Sequence, residues 1–265
     1  MLMDKLLTSL SWTGKYFRSR LYWRWKFKAK NPILGRYACL GQKVLGLLQP
    51  SQRIINVQAG RIDYLVACWK NPSLKTRALQ VFPYETNPDV IYRYVQLDVL
   101  FDWLRPACPT ALFMDSFAEL AYQQFIHRRQ GWRFLAEYKT LLHSDKFERT
   151  FRSDALIPTQ DIDLHFTYFF TQIRSQFGGI PIFYLHFPIA LESREKFQQR
   201  YDAILSAVDN AVRQFPPFYS LSVDNAIVDW PEEQLEDTRN YPYHYNRKTY
   251  ETFAEMVRAT GAWPG

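Results

Sequence analysis

What the chain lacks narrows its chemistry first. Three cysteines, Cys39, Cys68 and Cys108, lie far apart with no CxxC pair. Neither a disulfide framework nor a thiolate zinc site is indicated, and a reducing cytoplasm is the compartment that fits. No apolar run approaches the ~20 residues that a membrane-crossing helix needs, and no apolar core followed by a small-residue cleavage site marks a signal peptide. GxGxxG, the P-loop and HExxH are all missing, so nucleotide and zinc-protease chemistry lack their physical devices. The expectation is a chain that works without a cofactor or metal.

Excess charge of one sign is missing from most of the sequence. Residues 1–30 hold eight Lys/Arg against one Asp, which is the whole of the formal +7, and the rest carries 25 residues of each sign. Within that leader, "LYWRWKFKAK" alternates Trp23, Trp25 and Phe27 with Arg24, Lys26 and Lys28, a period of two that gives a helix no clean apolar face. Upstream, Leu6, Leu10, Phe17 and Leu21 follow helical spacing. Interfacial aromatics beside cations fit an anionic membrane surface, where each Lys or Arg gains about 1 kcal/mol. Trp23, Arg24, Trp25, Lys26 and Lys28 are therefore the expected membrane contacts, with the protein peripheral at the inner face of the membrane. Nucleic acid is not favoured, because the neutral remainder offers no second basic surface.

The 47% hydrophobic composition supports a real core, and the body alternates strand-like runs with helical ones, the pattern of an α/β domain. "RIINVQAG" (53–60), "ALQVF" (78–82), "TALFMD" (110–115), "PIFYLHF" (181–187) and "FYSLSVD" (218–224) read as five strands of a doubly wound, mostly parallel sheet. Residues 53–59, 110–115 and 181–186 are expected as neighbours. Asn87-Pro88 opens a helix over about 88–104. A second helix follows Ser193, with Phe197, Tyr201, Ile204, Leu205, Val208 and Val212 on one stripe, and Asn246 caps the last helix. The organisation expected is a basic aromatic leader (1–30), a linker with one helix (31–52) and an α/β domain (53–265).

In a doubly wound fold, ligands bind beyond the carboxyl ends of the strands. Those ends present Gly60 and Arg61, then Asp115 and Ser116, then His186, then Asp224, with His244 in "YPYHYN" ahead of the final helix. The segment "YHYNRKTYETFAEMV", a late histidine leading into a Tyr-containing terminal helix, together with this order of elements, resembles the SGNH, or GDSL-like, hydrolase superfamily. "MDSFAEL" resembles that family's Asp-Ser nucleophile block. The resemblance implies a flavodoxin-like sheet and ester chemistry in which Ser116 attacks an acyl carbon, His244 relays its proton, and Asp237 or Asp224 orients the imidazole. The strand-end rule makes Asp115, His186, Gly60 and Arg61 the expected substrate contacts. The chain departs from the family where "QAGRID", read as the end of the first strand, holds no serine, and where the family aspartate three residues before the histidine is replaced by Tyr241. Ser116 has a second reading as the N-cap of the helix after it.

"TQDIDLHF" sets Asp161, Asp163 and His165 on one face if extended, as a metal site would need; a helix capped by Thr159 or Asp161 explains the same acids and is preferred. The expected function is a membrane-associated esterase or O-acyltransferase acting on an acyl ester of a glycan or lipid-linked sugar. The alternative is a noncatalytic scaffold of the same fold that binds a glycan or a partner protein.

Overall fold

The computed structural model describes residues 14, 16–18, 21–22, 30–58, 60–84, 91–98, 108–138, 141–232 and 243–265. Its strands and helices are numbered here in chain order. The central sheet is built from β1 (Ile33–Arg36), β2 (Ile54–Asn56), β3 (Ala111–Asp115), β7 (Ile182–Leu185) and β8 (Phe218–Leu221), all parallel, in the order β2-β1-β3-β7-β8. Every residue of β1, β3 and β7 is buried, because helices cover both faces; β7 and all of β3 before Asp115 are apolar accordingly. On one face lie α1 (Cys39–Leu48) and α9 (Arg247–Ala259), packed on each other; on the other lie α2 (Ile62–Lys70), α7 (Ile162–Phe177) and α8 (Glu195–Gln214). This is the doubly wound, flavodoxin-like α/β fold expected, and it aligns the strand ends along one edge of the sheet.

Two expectations about the strands are corrected. Residues 78–82 are not a strand: Ala78–Val81 form the short helix α3, and Phe82–Tyr84 a 3-10 turn. A five-residue apolar run does not distinguish a buried strand from a buried helix, and Pro83 cannot donate to a sheet ladder. The fifth strand is instead Ile33–Arg36, inside the segment read as a linker. That segment contributes both β1 and α1. β1 also stands between β2 and β3, so residues 54–56 and 111–115 are not neighbours, whereas β3 and β7 pair as expected.

The helix after Asn87 is described as α4 (Ile91–Asp98). The helix after Ser193 and the last helix follow their predicted stripes, with Phe197, Ile204 and Val208 buried in one and Tyr250, Phe253 and Val257 in the other. Asn246 caps α9, its Oδ1 accepting from the Thr249 N–H at 3.0 Å.

A second, antiparallel sheet was not anticipated. It comprises β5 (Arg133–Ala136), β4 (Gln123–His127) and β6 (Phe151–Ser153), in that order, between α5 (Phe117–Ala121) and α7, with α6 (Asp145–Thr150) packed on β6. Its β4–β5 turn places Gly131 at φ 73°, a region that suits glycine, and His127 Nδ1 accepts the turn N–H groups of Arg129 and Gln130 at 3.2 Å each. Aromatics fill it: Phe125 stacks on Phe134 at 5.1 Å, with Trp132, Phe147 and Phe151 around them.

Residues 14, 16–18 and 21–22 of the leader are helical. Tyr16 is buried with its ring edge-on to Phe82 at 6.2 Å, while Phe17, Leu21 and Tyr22 are exposed. Trp23, Arg24, Trp25, Lys26 and Lys28 lie outside the described residues. Among the described residues no helix is long and apolar enough to cross a membrane.

Candidate functional site at the strand ends

The end of β1 is fixed by groups from its neighbours. Asn56, closing β2, accepts the Tyr37 N–H at 3.0 Å and donates to the Tyr37 carbonyl at 3.0 Å. Asp115, closing β3, reaches across to the start of α1, where Oδ2 accepts the N–H groups of Ala38 (2.7 Å) and Gly41 (3.1 Å); Oδ1 accepts that of Phe117 (3.2 Å). Burial pushes the Asp115 carboxyl up to about 7, against the pull of these donors and Arg36. Gly41 has to be glycine here, since a Cβ would run into the Tyr37 side chain.

Beneath the crest, Arg36 and Glu119 form an ion pair at 2.9 Å with both side chains fully buried. Glu119 also accepts the Ile62 N–H at 3.0 Å, and Arg36 Nη2 donates to the Asp115 carbonyl at 2.9 Å. Burial alone would lower the Arg36 pKa; Glu119, Tyr184 and Asp115 outweigh it, and the net direction is upward. The pair ties β1, β3 and the start of α2 together.

The catalytic residues expected from sequence do not form one site. Ser116 is fully buried, and its Oγ accepts the Phe187 N–H at 2.9 Å, joining the ends of β3 and β7. It precedes α5 without capping it; the side-chain bond to the first turn comes from Asp115. No hydrogen bond joins Ser116 to His244 among the described residues. Asp224 is exposed and caps a 3-10 turn through the Ala226 N–H at 2.9 Å, with no link to His244. Asp237 lies outside the described residues.

Of the expected substrate contacts, Arg61 is buried with its guanidinium committed to both oxygens of Asp63 and to the carbonyls of Tyr122 and Ala155, all at 2.7–3.0 Å. Gly60 is buried in the turn after β2, its N–H donating to Val57. His186 is fully buried under α8; Nε2 meets Ser220 Oγ at 3.0 Å, Nδ1 has no hydrogen-bond partner among the described residues, and burial pushes its pKa down to about 3, so it is neutral. The "TQDIDLHF" residues are helical rather than extended, but not by the capping expected: Thr159–Asp161 form a 3-10 turn, α7 starts at Ile162, and the Asp161 side chain makes no cap hydrogen bond. Asp163 accepts from Asn210 at 2.9 Å, and among the described residues no group of three or more His, Cys, Asp or Glu could hold a metal ion.

His244 has a different character. Its two tyrosine neighbours are both tied down: the Tyr243 hydroxyl lies 3.1 Å from Arg194 and 3.3 Å from Glu192, and Tyr245 bonds the Pro188 carbonyl at 2.9 Å and the Tyr250 hydroxyl at 3.0 Å. Between them the His244 side chain is exposed and makes no hydrogen bond among the described residues. Partial desolvation and the charge of Lys43 lower its pKa, so at neutral pH it is an unprotonated base.

The residue that sequence reading passed over is Cys39. It is the first residue of α1, directly after the first strand, and its Sγ donates to the Tyr243 carbonyl at 3.5 Å, one residue before His244. The Tyr243 ring packs edge-on against Phe117 at 5.3 Å and against Phe187 at 6.0 Å, so the ends of β1, β3 and β7 meet the late loop here. Burial, reinforced by Asp115, pushes the Cys39 thiol up to about 12, while the N–H groups of Leu40 and Cys39 pull the other way. At rest it is a thiol, and it needs a base to react. The signal that would have found it was "ILGR" before "YACLGQ": a strand run ahead of a helix. Set against protein-family models, curated proteins and solved structures, the chain matches none of them.

Proposed function

We propose that the chain is an acyl-transfer enzyme, an esterase or O-acyltransferase acting on an acyl ester of a glycan or lipid-linked sugar, in which Cys39 rather than Ser116 is the nucleophile. The observation that carries this reading is the 3.5 Å contact between Cys39 Sγ and the Tyr243 carbonyl, which brings a thiol at the end of the first strand to the loop of the late histidine. In the proposed reaction neutral His244 takes the thiol proton as sulfur attacks the acyl carbon. A C–S bond forms, the C–O bond to the leaving alkoxide breaks, and His244 returns the proton to that oxygen. Water, for hydrolysis, or an acceptor hydroxyl, for transfer, then attacks the thioester, and the thiol is restored. The N–H groups of Cys39 and Leu40 flank the sulfur where negative charge develops.

The leader completes the reading. Exposed Phe17, Leu21 and Tyr22 continue into the basic aromatic segment, which supports peripheral docking at an anionic, cytoplasmic membrane face. Turnover of a p-nitrophenyl ester by three variants tests the chemistry. Cys39→Ala and His244→Ala are expected to lower kcat/KM by at least about 100-fold, and Ser116→Ala to keep it. Loss in Ser116→Ala with activity retained in Cys39→Ala returns the role to Ser116.

The noncatalytic scaffold is favoured by one observation: among the described residues neither Ser116 nor Cys39 is hydrogen-bonded to His244. Wild-type protein that binds glycan without turning over any ester supports that reading.

A further inference from the structure

A groove of about 380 Å³ lies between α1 and the start of α9; its lining begins at Lys43, one helical turn beyond the candidate thiol. Lys43, Gly46 and Leu47 line it from α1, and Tyr245, Arg247 and Tyr250 from the opposite side. Lys43 follows Cys39 by four residues and Leu47 follows Lys43 by four, so the three share one face of the helix, each about 5–6 Å from the next at Cβ. The face that carries the sulfur at the crest therefore continues directly into the groove. On the other wall, Tyr245 is the residue after His244, and both tyrosines are buried with their hydroxyls already bonded, leaving ring surface toward the groove.

The charge of the lining has a sign. Lys43 is exposed and makes no ion pair or hydrogen bond among the described residues. Arg247 pairs with Glu251 at 2.6 Å, but the two side chains are 79% and 44% exposed, a pairing that a ligand can displace at small cost. Among the described residues Glu232 is the one acid lining the groove. Two cations above an aromatic and aliphatic floor, one helical turn from a thiol, suit a molecule with an anionic group, an apolar stretch and a reactive end.

We infer that this groove binds the anionic end of the acyl-bearing substrate, a phosphate or carboxylate held by Lys43 and Arg247, with the apolar stretch over Leu47 and Tyr250 and the acyl carbon at Cys39. The inference rests on the acyl-transfer reading for its choice of ligand.

Charge-selective alkylation of the full chain tests the groove without turnover. Rates of modification by iodoacetate and iodoacetamide are read by mass spectrometry at Cys39, with exposed Cys108 as the internal reference. The iodoacetate-to-iodoacetamide ratio is expected to be several-fold higher at Cys39 than at Cys108, and Lys43→Glu is expected to abolish the excess. Calorimetric titration with pyrophosphate, and separately with succinate, measures occupancy directly and decides the matter if Cys39 does not alkylate. Binding of at least one probe that weakens tenfold or more in Lys43→Glu and in Arg247→Gln supports the groove, and the stronger probe identifies phosphate or carboxylate. Binding equal in wild type and Lys43→Glu, or no binding of either, overturns it. Groove binding that survives alongside absent ester turnover refutes the acyl-transfer reading alone.

Discussion

Asp115→Asn tests the argument that one buried carboxyl organises the start of α1. The side chain accepts three backbone N–H groups, two at α1 and one at α5. Asparagine keeps one carbonyl oxygen and turns an NH2 group toward donors that have nowhere else to go, so at pH 5 the variant is expected to be less stable by about 1–3 kcal/mol, the cost of a buried donor left unmade. The pH dependence is the sharper measure. Burial raises the folded carboxyl to about 7, whereas the unfolded one titrates near ~3.9. Between these values the folded state binds the extra proton, so wild-type stability is highest below ~4, falls as pH rises through the window, and levels off above the folded value. From pH 5 to pH 7 that fall is about 2 kcal/mol, and the variant, with no group to ionise there, lacks it. The initial deficit therefore closes or reverses by pH 8. Urea titrations followed by tryptophan fluorescence at pH 5, 6, 7 and 8 give the difference directly. A wild-type minus variant difference that stays constant across this range refutes the reasoning and shows an Asp115 ionised throughout. Removing the carboxylate also removes a charge that raises the Cys39 thiol, so Cys39 alkylates faster in the variant at fixed pH.

Arg36→Met leaves Glu119 as a buried charge without its partner and is expected to cost about 3–5 kcal/mol in urea unfolding, while Arg36→Met/Glu119→Leu together cost less than the single change. Asn246→Ala removes the cap of α9 and is expected to lower stability by about 1 kcal/mol, read as an earlier urea midpoint with unchanged slope. Lys26→Gln/Lys28→Gln is expected to weaken binding to anionic vesicles about 30-fold at low salt, from about 1 kcal/mol per cation, and to leave thermal unfolding unchanged; equal vesicle binding would remove the leader from the membrane reading.

The sequence made some elements legible and hid others for identifiable reasons. β3 and β7 were visible because a strand covered on both faces is largely apolar, β8 from the aromatic and aliphatic residues at its start and end, and α8 and α9 because a surface helix repeats its buried face every three to four residues. Four residues at Ile33–Arg36 are too few to show a period, and they end on an arginine that only the buried Glu119 makes tolerable. The small sheet was hidden by its own aromatics: Phe134 packs on Phe125 of the neighbouring hairpin strand and on Phe151 of β6, which reaches the sheet only after α6, and no local pattern records that last pairing. At the strand ends, the positions of Asp115, His186 and His244 were legible, but the hydrogen bonds that engage a side chain were not. Arg61 and Ser116 looked available in sequence because their consuming partners, the Tyr122 carbonyl and the Phe187 N–H, are backbone groups that every residue carries.

The pair of anchored tyrosines around His244 has a consequence for timing. The backbone of that loop is held on both sides, yet among the described residues nothing tethers the imidazole, like a rotor on a fixed axle. With neither ring nitrogen bonded to a described residue, both neutral tautomers are open to it and rotation about its side-chain bonds breaks no hydrogen bond to those residues. A histidine whose second nitrogen is already bonded arrives at the reaction with its tautomer chosen. Here the choice is left until a ligand enters, and the substrate's own polar groups become part of the apparatus that orients the base.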